Sequence, residues 1–136
     1  MSRKNARDNA FKCIYEYEFN KDKDIEKILD FCYEENGSTD SEKEYIVETV
    51  NGVIANIEKI DEIILNNLKK WSLSRISKVD LALLRLAIYE INYVQNIPLK
   101  VSANEAVELA KIYGGPDSKS FVNGLLAKVI EQKKEE

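Results

Sequence analysis

A chain of 136 residues, 44% apolar and 32% charged, is long enough for one domain with a core of its own and needs no staple. The absence of histidine, with two cysteines and no CxxC pair, argues against a zinc site. A net charge of −4 disfavours sequence-blind nucleic-acid binding but allows a local basic patch and a basic protein partner. No apolar run reaches the ~20 residues that span a membrane. The opening Met1-Ser2-Arg3-Lys4-Asn5-Ala6-Arg7 has no apolar stretch behind its charges. The expected location is the cytoplasm, with no membrane association, and Cys13 and Cys32 are expected as buried free thiols.

Apolar spacing is helical almost throughout. Ala6, Ala10, Cys13, Ile14 and Tyr17 mark a first helix. Ile25, Ile28, Leu29 and Cys32 mark a second, which stops at Asn36-Gly37. Ser41-x-x-Glu44 reads as a capping box opening a pattern from Tyr45 to Leu68, long enough that a break is expected near Asn56. A connector at Trp71-Ser72-Leu73-Ser74 leads to a segment from about Ser77 to Tyr93 that is apolar all round and belongs at the centre of a bundle. Asn96-Ile97-Pro98 ends it. Ser102-x-x-Glu105 reads as a second capping box, and Gly114-Gly115-Pro116 as a stop. Asp117 or Ser118 caps a last helix carrying Phe121, Val122, Leu125, Leu126 and Val129, and the Lys133–Glu136 tail is expected to fray. The prediction is all-α: about seven helices in one compact domain, residues 1–136, built as two packed sub-bundles.

Enzyme chemistry without histidine needs paired carboxylates, a perturbed lysine or a cysteine. Asp80 lies in the first turn of the central helix, where a carboxylate favours the helix N-terminus. Glu90 is expected to pair with a cation. Neither points to catalysis, and no cofactor, metal or small-molecule substrate is expected. On the first helix Lys4, Arg7, Phe11 and Tyr15 fall within about a quarter turn at ~100° per residue. Cations that meet phosphates beside rings that stack on unpaired bases make an RNA surface; a solvated basic end over core aromatics is the other reading. Phe121, flanked on the last helix by Asp117 and Gly124, is either a partly exposed ring or an edge core residue with Gly124 admitting a close neighbour.

Four stretches together resemble the NusB family of antitermination factors: Ala6-Arg7-x-x-Ala10 with Ile14-Tyr15; Val79 to Glu90; Pro98-x-x-Val101-x-x-Asn104-Glu105-Ala106-Val107-Glu108-Leu109-Ala110-Lys111; and Ser118-x-x-Phe121-Val122-Asn123-Gly124-Leu125-Leu126. The resemblance implies an all-helical fold of two sub-bundles. It also implies binding of single-stranded boxA-type RNA with NusE, a small-subunit ribosomal protein, in an RNA polymerase antitermination complex with NusA and NusG. Carried over by motif, the RNA-contacting positions are Arg3, Lys4, Arg7, Tyr15, Asp117, Ser118, Lys119 and Phe121. The opening is less arginine-rich than in many relatives, and Ala103 stands where a larger aliphatic is usual. The alternatives are a protein-only helical scaffold and an RNA-binding domain related to a ribosomal RNA methyltransferase.

Overall fold

In the computed structural model, residues 3–20, 26–30, 40–68 and 72–134 are described, Arg3 and Lys4 by their backbone alone. The helices are α1 (Arg3–Phe19), α2 (Asp40–Ala55), α3 (Ile57–Asn66), α4 (Lys78–Tyr93), α5 (Leu99–Tyr113) and α6 (Ser118–Lys134), with a 3₁₀ turn at Leu73–Arg75. Residues 26–30 are also helical, which makes the expected seven, and no strand occurs among the described residues. No helix is long and apolar enough to cross a membrane among the described residues.

Ser77 caps α4: its Oγ accepts from the backbone N–H of Asp80 at 3.1 Å. From there the helix buries nearly its whole circumference, with Leu83, Leu84 and Ile88 fully enclosed. It packs against α1, α2, α3, α5 and α6, so the two sub-bundles, α1–α3 and α4–α6, share one core across it. An all-round apolar helix has no face to offer water, and the centre is the one place that accepts it.

The expected break falls at Asn56, between α2 and α3, where the side-chain amide donates to the Gly52 carbonyl at 2.8 Å. Both capping-box expectations give way to other arrangements. Ser41 lies inside the first turn of α2. α5 starts at Leu99 after Pro98, and Ser102 is a buried helical residue whose hydroxyl donates to Glu90 at 2.7 Å. Proline fixes the backbone angle that opens a helix, so the serine four residues on is released for a tertiary partner. α6 continues through Lys133 and Lys134, and the rest of the tail expected to fray, Glu135 and Glu136, lies outside the described residues. Cys13 is buried as expected but is disulfide-bonded, not a free thiol. The only other cysteine, Cys32, lies outside the described residues. Bridging depends on a close approach of two Cα atoms, which sequence spacing cannot reveal.

Two polar clusters cross the core. In one, Arg85 Nε and Nη2 donate to the two carboxylate oxygens of Asp61 at 2.9 Å each, and Nη1 donates to Glu18 at 2.7 Å. Lys78 adds a contact to Glu18 at 3.2 Å. Burial alone would lower the Arg85 pKa, but these hydrogen bonds and negative charges outweigh it and raise it. The other cluster, around Glu90, bears on the candidate site.

Candidate nucleic-acid interface

Arg7, expected on the RNA-facing edge of α1, is turned inward with 6% exposure. Its Nε donates to both Glu90 oxygens at 3.1 and 3.0 Å, and Nη1 lies 3.9 Å from Glu105. The Tyr45 and Ser102 hydroxyls also donate to Glu90, which is 1% exposed. Burial pulls the Arg7 pKa down, but the bonds and charge of Glu90 dominate and hold it above its ordinary value. Burial, and then the charge of Glu90, push the Tyr45 phenol far up, so it remains a donor. Arg7 is thus a core ion-pair residue. The sequence arc misplaced it because Phe11, also assigned to that arc, is itself core at 3% exposure.

Along one side of α1 a row of rings rises from the core to the surface. Phe11, Tyr15 and Phe19 follow one another at helical spacing, with centroids 6.1 Å apart for the first pair and 5.0 Å for the second. Tyr113, the last residue of α5, extends the row from Phe11 at 5.1 Å. Its hydroxyl donates to Asp8 at 2.8 Å, and the Lys12 ammonium stands 5.8 Å from its ring centre. Burial, then the bond to Asp8 and its charge, raise the Tyr113 pKa to about 12. The row runs from the core at Phe11 to open solvent at Phe19, which is 55% exposed. Tyr15, half-buried, is the predicted residue in the middle of it.

The second predicted group sits at the turn from α5 to α6. Gly114 ends α5, and a Cβ there would come within 2.4 Å of the Ser118 hydroxyl and 2.8 Å of the Ala110 carbonyl. Only glycine allows that approach. Ser118 Oγ accepts from the Gly115 N–H at 3.0 Å, and the Asp117 carbonyl accepts from the Phe121 N–H at 3.0 Å, so the two residues together start α6. Ser118 is therefore buried, against the expectation of an RNA-contacting hydroxyl, while Asp117 and Lys119 are exposed and Phe121 is half-buried. Among the described residues nothing lies within 4 Å of a Cβ built on the exposed Gly124, so none of them packs closely against that glycine. Phe121 instead lines a cavity of about 260 Å³ with Ile76, Pro116, Asp117 and Asp80. Asp80 is 8% exposed, and its Oδ1 has no hydrogen-bond partner among the described residues.

Tyr15 and the Asp117–Phe121 group thus lie on two elements joined through Tyr113, which touches α1 and stands four positions before Asp117. The side chains of Arg3 and Lys4 lie outside the described residues. The sequence reading missed Phe19, whose i, i+4 spacing from Tyr15 was the available signal. It also missed Lys12 and Tyr113; Tyr113 meets Asp8 across 105 positions and leaves no local trace. Among the described residues no group of three or more His, Cys, Asp or Glu could hold a metal ion.

The chain matches the NusB family model over residues 4–131. It is 46% identical over 132 residues to a transcription antitermination protein NusB of Alkaliphilus oremlandii, covering 97% of this chain and 95% of that protein. Its fold superposes on the T. maritima NusB structure with a TM-score of 0.90, at 38% identity, covering 96% of this chain and 92% of that one. A structure of antitermination factors NusB and NusE in complex with dsRNA matches with a TM-score of 0.88 at 27% identity, covering 96% of each chain.

Proposed function

The chain belongs to the NusB family, and from that premise we propose that it is a transcription antitermination factor that binds single-stranded boxA-type RNA together with NusE. The carrying observation is the row of rings Phe19–Tyr15–Phe11–Tyr113, which leads toward the Phe121 turn with Lys12 beside it. The exposed Phe19 and the half-buried Tyr15 and Tyr113, backed by the buried Phe11, offer unpaired bases a stacking platform, and flanking cations offer phosphates a partner. The similar structure of NusB with NusE and dsRNA supports the coarser part of this reading, RNA binding alongside NusE.

In this reading residues 1–136 act as one RNA-binding domain in the cytoplasm, within an RNA polymerase complex that also holds NusA and NusG. Tyr15 and Phe121 stack on bases, Arg3, Lys4 and Lys119 meet phosphates, and Asp117 contacts RNA at the turn. Arg7 and Ser118 act indirectly, by fixing α1 and the start of α6. No catalytic step, cofactor or metal is assigned.

About three phosphate contacts on single-stranded RNA imply a salt slope near −2, too shallow for tight binding by charge alone. Specificity then rests on stacking and on a second protein. Fluorescence titration of labelled boxA RNA across a salt series, with and without NusE, tests this. NusE is expected to raise RNA affinity several-fold, and RNA must raise NusE affinity by the same factor. Undetectable RNA binding under both conditions would favour the protein-only scaffold.

A further inference from the structure

An open cavity of about 730 Å³ lies between one face of α2 and the C-terminal end of α4. Glu44, Tyr45 and Glu48 of α2 line one side, Tyr89 and Tyr93 of α4 the other, and residues 94–97 complete it. The size is that of a ligand site, not of a packing defect.

Its chemistry is one-sided. Among the described residues no lysine or arginine lines it. Glu44 and Glu48 are exposed, and neither enters a hydrogen bond or ion pair among the described residues. α4 ends here at Tyr93, so the negative end of a 16-residue helix dipole points the same way. The rings of Tyr89 and Tyr93 stack at 5.6 Å with 26° between their planes. Gly52 leaves room for the first of them, since a Cβ there would come within 2.3 Å of the Tyr89 ring. Burial first, and then the charges of Glu48 and Glu90, raise the Tyr89 pKa and keep its hydroxyl neutral. The face is negative and aromatic, and an RNA phosphate would be repelled from it.

The geometry points to an arginine-recognition groove: a guanidinium carried on an extended basic segment of a partner protein, stacked on the Tyr89–Tyr93 pair and held by Glu44 and Glu48. Charge complementarity selects a cation, and the flat paired rings select a planar one, because a guanidinium stacks on an aromatic face while its fork reaches carboxylates. The volume exceeds one side chain, which suits a segment of polypeptide rather than an isolated ion. The groove lies on α2 and α4, and the inference stands independently of the RNA reading.

The test is an NMR titration of the isotope-labelled full chain with acetyl-Gly-Arg-Gly-Arg-Gly-amide, alongside its lysine counterpart and spermidine. The arginine peptide is expected to shift amides confined to Glu44–Thr49 and Tyr89–Ile97, and to bind more tightly than either comparator. The double substitution Glu44→Gln and Glu48→Gln is expected to weaken it at least about tenfold, the size of one lost charge-assisted hydrogen bond. Tyr93→Ala is expected to weaken it several-fold. All three side chains are exposed, and unchanged melting temperatures confirm that the variants fold. Shifts scattered over the acidic surface, equal binding of lysine peptide or spermidine, or an unaffected double variant would each overturn the assignment.

Discussion

Arg7 and Glu90 meet at 3.0 Å across 83 positions of sequence, both almost fully enclosed. A charge pair so placed is costly to desolvate but more costly to break, because removing one partner strands the other. Arg7→Ala is therefore expected to lower unfolding free energy by about 3–5 kcal/mol in urea titrations. A loss under ~1 kcal/mol, the range of surface pairs, would mean that the pair is solvated. Any loss of RNA affinity in this variant reports on the scaffold rather than on a missing phosphate contact.

Leu84 is fully buried at the centre of α4. Leu84→Ala is expected to cost about 2–5 kcal/mol through lost transfer energy and the cavity left behind. Urea or thermal unfolding measures it. A cost below half a unit would place the core elsewhere.

Tyr113 carries a pH dependence. Its folded pKa of about 12 stands above its ordinary value of 10.0. The folded state therefore holds this proton more tightly than the unfolded one. Its contribution to stability is complete below pH 10 and is lost as pH rises through 12. Alkaline unfolding followed by circular dichroism is expected to show this decline, and Tyr113→Phe is expected to remove the portion due to this phenol. An identical alkaline profile in the variant would refute it.

Phe121→Ala is expected to weaken RNA binding by about 1–3 kcal/mol if the ring stacks on a base. The salt slope should stay unchanged, since no phosphate contact is lost. Lys119→Ala is expected to do the reverse, flattening the slope by about 0.7 with a smaller change in affinity at high salt. Parallel titrations of the two variants separate stacking from charge. A flattened slope for Phe121→Ala, or none for Lys119→Ala, would show that the roles are misassigned.

The central helix was legible because burial on every side demands apolar residues on every side, and Ser77 marked its start. The break at Asn56 was legible from length alone. Helix starts were harder: Ser102 carries the signature of a cap, yet Pro98 opens the helix and the serine hydroxyl turns to Glu90. The same limit applies to Arg7. Spacing placed it on an edge, but whether that edge meets water or α4 depends on a partner 83 residues away. Phe121 and Tyr15 were legible as rings at a boundary, and the structure leaves both half-buried. Tyr113 was not, because its role comes from Asp8 and Phe11 across the fold.

The polar clusters on α4 have opposite sense. In one α1 supplies the cation, Arg7, and α4 the anion, Glu90; in the other α1 supplies the anion, Glu18, and α4 the cation, Arg85. An α1 docked head-to-tail would bring Arg7 toward Arg85 and Glu18 toward Glu90, two like-charge encounters in a low-dielectric interior. The apolar stripe of α1 does not by itself distinguish the two directions. The charges do, so they act as a polarity key for the first helix, and Tyr15, between the two keyed positions, keeps its place on the surface as a result.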